Sequence, residues 1–397
     1  MSKLKISHVE IADDLLLKKS CVKIGDKKIE TPIKAIDLTK RRPDLPITDQ
    51  VKGLNEICKV FNEKNLNEYL TGARNETILN NEMERTKNKA GENEINVNFV
   101  FYEGLRYPNE KGINFLMDVA YEYSDITPLP ILPKLSKKIK ENQNFQSEFE
   151  DYKIFMQKCI DSVNRLNNQD IMGIIPESIT SSFIPELIDF YHNNNITSFV
   201  YDFGGKVSTG MRTKIRELMI SLNELDILEN SFLYSINANN GKMLHDVPVV
   251  RAKDVLTYGF GFSALGDQHI RKFLPEDLRK ILLEKEKKRI ANSENPQVTL
   301  FNTNDYGYYK TSDISVLDDI YSHGDTKIPI KYLKKKSVTF KPAQSLFNSE
   351  RIGIEAIKYR QIIKDQSSNT YDYFKPKKYI EENDLKKLLK FRKDIRI

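Results

Sequence analysis

The sequence predicts an α/β protein built as a (β/α)8 barrel, with an N-terminal hairpin and a small, basic, α-rich C-terminal appendage. Three observations carry this. From residue 95 onward, short β-rich runs alternate with amphipathic helical patterns, as right-handed βαβ units and a parallel sheet require. Counting a strand that ends at Asp37, eight such runs fall within about 270 residues, which is the strand number and roughly the span of that barrel. No GxGxxG follows the first strand, which argues against a doubly wound open sheet. The nearest glycine-rich turn, Gly204-Gly205-Lys206, follows only the fifth.

The elements follow in chain order. Residues 21–36 place Gly25-Asp26 between two alternating segments, a hairpin whose second arm continues through Pro32 to Asp37. The Lys/Glu/Asn-rich stretch 62–94 reads as helical and exposed, with a loop near 87–93. The later strands are NVNFVFYE (96–103), ITPLPILP (126–133), DIMGIIPE (170–177), TSFVYDFGG (197–205), SFLYSINAN (231–239), DVLTYGFGF (254–262) and VTLFNT (298–303). Helices fill the gaps at 112–123, 148–166, 183–192, 211–228 and 275–289, where apolar residues recur at three-to-four spacing. The strand ending near Asp37 is expected to pair beside 298–303 and close the ring. Past residue 310 the rhythm stops: a short helix at 312–321, a basic extended segment at 327–346, then helices at 348–365 and 381–392.

Length and charge divide the chain similarly. At 397 residues it exceeds one ordinary core, and we divide it into a barrel, 1–326, and an appendage, 327–397. The appendage carries 19 Lys/Arg against 8 Asp/Glu, which leaves the preceding 326 residues with 43 against 48. A basic segment on a mildly acidic body points to a polyanion contact, with Lys334, Lys335 and Lys336 as the nucleic-acid-binding candidates. No apolar run approaches the roughly 20 residues that span a bilayer, so no membrane partner is expected. Cys21, Cys58 and Cys159 lie far apart without CxxC, which fits a reducing cytoplasm and gives neither a disulfide framework nor a Cys-rich zinc site.

In a barrel, chemistry gathers at the C-terminal ends of the strands. Glu103, Glu177 and Asp202 end three different strands there, able to act as nucleophile, general base or acceptor for a guanine-like N–H edge. Asp202 is the sharpest, a carboxylate between Phe199-Val200-Tyr201 and Phe203-Gly204-Gly205, where an unpaired charge is costly. Gly204 and Gly205 can bring backbone N–H groups to an anion at the next helix. We assign Asp202 and Glu177 as catalytic candidates, and Glu103, Tyr102, Gly204, Gly205 and Tyr258 as substrate-binding candidates. Asp267 and His269 form a polar cluster after an aromatic and glycine-rich run, but too few neighbouring ligands are evident for a metal site, and neither metal nor cofactor is expected.

Several segments resemble the queuine and archaeosine tRNA-guanine transglycosylases. IGDKKIETPIKAID (24–37) is similar to their opening hairpin, 173–205 to their G-I-V-Q-G-G strand and the helix after it, 251–262 to their G-I-D-x-F-D-C strand, and 298–310 to their closing hairpin. The resemblance spans roughly 24–310 and implies a divergent member: a barrel pentosyltransferase exchanging guanine for a 7-deazaguanine base in tRNA or DNA through a covalent glycosyl-enzyme. It departs from the pattern in three places. NFVFYEG (98–104) replaces D-S-G-G-F-Q, leaving Glu103 as the base-binding carboxylate. Thr257 stands where the aspartate nucleophile is expected, and the C-terminal zinc cysteines are absent. Two other classes stay open: a non-catalytic RNA-binding or partner subunit with the same barrel, and an unrelated barrel enzyme on a small anionic metabolite. A homo- or heterodimer is open under each reading.

Overall fold

The computed structural model describes residues 4–141, 145–166, 169–270, 275–291, 295–321, 326–365 and 367–395. Residues 366, 396 and 397 of the basic segment lie outside them. The protein is mixed α/β, organised on a six-stranded parallel sheet.

The chain opens with an antiparallel sheet of Leu4–Ile11, Lys18–Ile24 and Lys27–Thr31. Ile24 pairs with Lys27 across the two-residue turn expected at Gly25-Asp26, where Gly25 takes φ 59°. The chain then enters the parallel region. In order, the six-stranded sheet contains Ile33–Lys34, Ala264–Leu265, Phe232–Ile236, Ser198–Asp202, Ile171–Pro176 and Thr127–Pro128. A second parallel sheet holds Ile36–Asp37, Leu54–Phe61 and Ile95–Tyr102. One extended segment, 33–37, serves both sheets: Ala35 donates to Leu265 O (2.9 Å), and Leu38 donates to Glu56 O (3.0 Å). At the opposite edges Phe101 forms a parallel bridge with Ile131, through Tyr102 N to Ile131 O and Ile131 N to Val100 O, both 2.9 Å.

All eight residues of Ile95–Tyr102 are buried, as are all of Ile171–Pro176, Ser198–Asp202 and Phe232–Ile236. Parallel strands covered on both faces read as continuous apolar runs for this reason. Helices Glu110–Glu122, Phe145–Asn164, Ile184–Asn193 and Arg212–Glu224 follow their strands and put their apolar faces into the same core.

Several expectations are corrected. Leu54–Phe61, not anticipated as a strand, pairs with Ile95–Tyr102 along its whole length. The run 254–262 is mostly a 3-10 helix, Val255–Phe260, ended by Gly261 at φ 95°. The strand is the short Ala264–Leu265 that follows. Val298–Asn302 lies in neither parallel sheet and does not pair beside 33–37. It forms a hairpin with Gly307–Thr311, and Val249–Arg251 adds a third antiparallel strand. The segment 327–346 is not extended throughout, because Lys331–Lys334 is one helical turn and Phe340 opens the helix Phe340–Asp365.

That long helix packs against the Ile33–Lys34 strand and the 298–302 hairpin. Its Ile352, Ala356, Tyr359 and Ile363 join the main core, as do Leu385, Leu388 and Phe391 of Glu382–Ile395. No helix among the described residues is long and apolar enough to cross a membrane.

Candidate active site

The parallel strands end on a cavity of about 400 Å³. Lys34, Asp37 and Lys40 line it from the first strand and its loop. Asp267 and His269 line it from the loop after Ala264–Leu265, and Asp254 and Tyr308 from the antiparallel side. Asn348, Ser349 and Ile352 of the long helix form the remaining wall.

Beneath this cavity lies Glu56, fully buried in the middle of Leu54–Phe61. Its carboxylate accepts from Tyr234 Oη (3.0 Å) and from the Asp267 backbone N–H (2.5 Å), and faces His269 Nε2 at 3.3 Å. The last contact is an ion pair without hydrogen-bond alignment, since Nε2 has no aligned acceptor. Burial alone would raise the pKa of Glu56. The positive His269 and Lys34 and the Asp267 N–H outweigh it and hold the carboxyl down at about 2. His269 responds in the opposite sense. Burial opposes its charge, but Glu56 and the neighbouring Cys58 keep the imidazole protonated well above the usual histidine range.

Lys34 donates to Ala35 O (2.9 Å) and to the Asp267 carboxylate. Burial would discharge it, yet Asp267, Glu56 and Asp254 together raise its pKa. Asp267 is also pushed up, by burial first and then by Glu56 and Asp37, against the pull of Lys34. The two shifts are consistent because one ammonium faces more than one carboxylate. Asp254, bonded at 2.7 Å by Tyr308 Oη, keeps its other oxygen without a partner, and burial raises its pKa to about 6.

Asp202 stands at the end of Ser198–Asp202, buried as its apolar neighbours predict. Its Oδ1 accepts from Asn237 Nδ2 (2.8 Å) and Gly204 N (3.0 Å). Asn237 Oδ1 in turn accepts from the backbone N–H groups of His269 (2.7 Å) and Ile270 (3.1 Å). Burial raises the pKa of Asp202, offset in part by these bonds and by the His269 charge. Asp202 therefore fixes the loop that presents His269, and it is not among the residues lining the cavity.

The other anticipated residues are placed as follows. Glu177 pairs with Lys206 (2.5 Å) and Lys214 (3.8 Å) and lies against Gly204, whose φ of 58° favours glycine and whose missing side chain would sit tightly, 3.3 Å from Glu177 Cβ. Glu103 is partly exposed beyond Ile95–Tyr102, its backbone N–H bonded to Phe61 O (2.7 Å). Tyr102 is buried with its ring folded over Gly104. Gly205 borders a separate, cation-lined cavity. Tyr258 lies within the 3-10 helix, buried edge-on to Tyr359 with its hydroxyl unpartnered, and it does not line the mouth. Thr257 sits in the same 3-10 helix and its hydroxyl is occupied by Asp254 O (2.8 Å). Lys334 pairs with Asp318 (2.9 Å), and Lys335 and Lys336 are exposed. Glu177 and Asp202 thus end adjacent strands, with Thr127–Pro128 between them and the strand of Glu103, but the cavity itself is lined by Asp37, Asp254 and Asp267. Among the described residues no group of His, Cys, Asp and Glu is placed to hold a metal ion.

Sequence reasoning missed Lys34, Glu56 and Asp254. Glu56 carried the one readable signal, an acidic residue inside the otherwise strand-like LNEICKVF. No protein-family model and no curated protein matches the chain.

Proposed function

We propose that the chain is a (β/α)8-barrel transglycosylase that exchanges a guanine or 7-deazaguanine base in a nucleic acid. The barrel joins the two parallel sheets into one ring of eight, with 33–37 shared at one seam and Phe101 paired to Ile131 at the other. Leu54–Phe61 and Ala264–Leu265 replace 254–262 and 298–303 as members of the ring. Residues 1–326 supply the barrel, and 327–397 is an appendage that closes one wall of its mouth.

The observation that carries the functional reading is the pair Asp267 and His269 at the end of the last parallel strand. A carboxylate and a protonated imidazole open on one cavity, each backed by a buried opposite charge, Lys34 and Glu56. An oxygen of Asp267 attacks C1′ of the target nucleotide while the C1′–N9 bond breaks. His269 gives its proton to the departing purine, and a glycosyl ester on Asp267 results. The incoming base returns its N9 proton to His269, N9 attacks C1′, and the ester bond breaks. Atoms and protons balance without a further reactant. The resemblance aligns Thr257 with the nucleophile position on a late strand; the late parallel strand is Ala264–Leu265, and the carboxylate that follows it is Asp267. Asp202, through Asn237, is then a positioning residue.

The test is incorporation of labelled guanine into tRNA and DNA. Asp267→Asn should lose at least about a thousandfold in rate with nucleic-acid affinity retained. Asp202→Asn should lose less and shift the alkaline limb of the pH profile, where His269 loses its proton. Full activity in Asp267→Asn would remove it as nucleophile. No incorporation by the unaltered protein on either nucleic acid would sink the exchange and favour a non-catalytic binding subunit.

A further inference from the structure

Two further cavities border the mouth, and both are cationic, whereas its own lining mixes Lys34, Lys40 and His269 with Asp37, Asp254 and Asp267. The first, about 540 Å³, is lined by Lys206, Lys242, Arg251 and Lys253 with no acidic residue. The carboxylates that pair with three of these cations, Glu177, Glu381 and Asp384, do not line it. Lys242 is exposed, beside the exposed Met243, and among the described residues no carboxylate lies within ion-pair distance of it. The second cavity, about 420 Å³, is lined by Arg41, Arg42, Lys52, Lys89 and Lys327 against the single acid Asp49. Lys89 is crowded there: burial first, then the charges of Arg42 and Lys40, lower its pKa.

Chain continuity ties both cavities to the mouth. Asn239 and Gly241 line the first cavity, while Asn240 between them lines the mouth. Lys40 lines the mouth, while the next two residues, Arg41 and Arg42, line the second cavity. Cations on two sides of a mouth that carries both charges match a chain of phosphates with one base turned inward, and a base turned inward must leave its stack.

We infer that a single nucleic-acid strand crosses the mouth, its phosphates on either side of the target nucleotide held in the Lys242 and Arg42 cavities. This rests on the base-exchange reading and names where the polymer lies. It assigns the main phosphate contacts to these cavities instead of to Lys334–Lys336.

The test is binding of labelled single-stranded RNA, single-stranded DNA and the matching duplexes over a salt series. Lys242→Glu and Arg42→Glu alter exposed side chains, and thermal melting checks that both variants fold. Each should weaken single-strand binding about tenfold and make the slope of log affinity against log salt shallower by about 0.7 for every phosphate no longer neutralised. The triple change of Lys334, Lys335 and Lys336 to Glu should do less than either. The unaltered protein should prefer single strands to duplex, and the RNA and DNA arms report whether the 2′-hydroxyl matters. Unchanged affinity and slope in either folded variant, a duplex preference, or no binding at low salt would overturn the track. Binding requires no turnover, so the two readings fail separately. Unchanged binding with guanine incorporation intact sinks the track alone, and weakened binding with no incorporation by the unaltered protein sinks the exchange alone.

Discussion

Two lysines are buried at opposite ends of the parallel strands, and they are buried differently. Lys18 lies just before Phe232–Ile236 and gives its three N–H groups to the carbonyls of Leu228 (3.0 Å), Glu229 (2.6 Å) and Ser231 (2.9 Å). Its partners are neutral, so burial lowers its pKa to about 7, opposed only by the Glu229 charge. Lys34, at the other end, faces Asp267, Glu56 and Asp254, and its pKa rises. One ammonium closes a set of backbone bonds. The other is part of a charge cluster that opens on a cavity. A buried charge satisfied by carbonyls has no counter-ion to exchange with a ligand, whereas one shared among carboxylates does.

That contrast can be broken by mutation. Glu56→Gln should have the largest effect, about 3–5 kcal/mol of stability, because it leaves a buried imidazolium and ammonium short of a counter-charge. The pH window follows from the two shifts. Glu56, with its pKa depressed, contributes stability that is present above the ordinary carboxylate range and lost as pH falls toward 2. His269, with its pKa raised, contributes stability that is full below about 6.5 and lost as pH rises through its elevated value. Denaturant unfolding from pH 3 to 9 should show this dependence in the unaltered protein and a flatter one in Glu56→Gln, where the His269 resonance should also titrate lower. Lys18→Met should cost about 3 kcal/mol by orphaning three carbonyls, two of them buried, with kcat/KM for the proposed base exchange unchanged. A matching loss of activity would end the distinction between the two ends.

The smallest effect has the opposite sign. Asp254, with its pKa raised to about 6 by burial, penalises the folded state once pH exceeds that value, and the penalty disappears as pH falls below its unfolded pKa. Asp254→Asn should therefore stabilise the protein by roughly 2–3 kcal/mol at pH 7 and by almost nothing at pH 4, read as the shift in Tm at each pH. An equal shift at both would show that the carboxyl is not held neutral by its surroundings.

How much of this was legible depended on local chemistry. The strands Ile171–Pro176, Ser198–Asp202 and Phe232–Ile236 were readable because both faces are apolar and nothing polar interrupts them. Leu54–Phe61 was not, because Asn55, Glu56 and Lys59 break its pattern. Asn55 is satisfied by Glu94 (2.8 Å) and Asn96 (3.1 Å), and Lys59 by Glu82 (2.7 Å), partners that appear only after folding. The run 254–262 has strand composition, but its glycines favour a tight 3-10 turn, so the position that the resemblance aligned with a nucleophile, Thr257, falls inside that turn and not at a strand end. Asp202 was found at a strand end because its apolar neighbours made its charge conspicuous. The role of its carboxylate in holding Asn237 depends on a contact between two strands that spacing does not encode.

The seam at residues 33–37 also has a consequence in time. Ile33 and Lys34 hydrogen-bond to a strand at 264–265. At synthesis rates of about 5–20 residues per second, this first strand waits roughly 10–45 s for its neighbour to be made. Through that interval one row of its N–H and C=O groups stays unpaired, as at any open sheet edge. The Leu4–Thr31 sheet just upstream is complete within itself, and on the other side Ile36–Asp37 gains Leu54–Phe61 early. Joining partners so far apart in sequence is the kind of contact that slows folding. Yield on expression should therefore be more sensitive to changes at 33–37 and 263–265 than the small number of hydrogen bonds there would suggest.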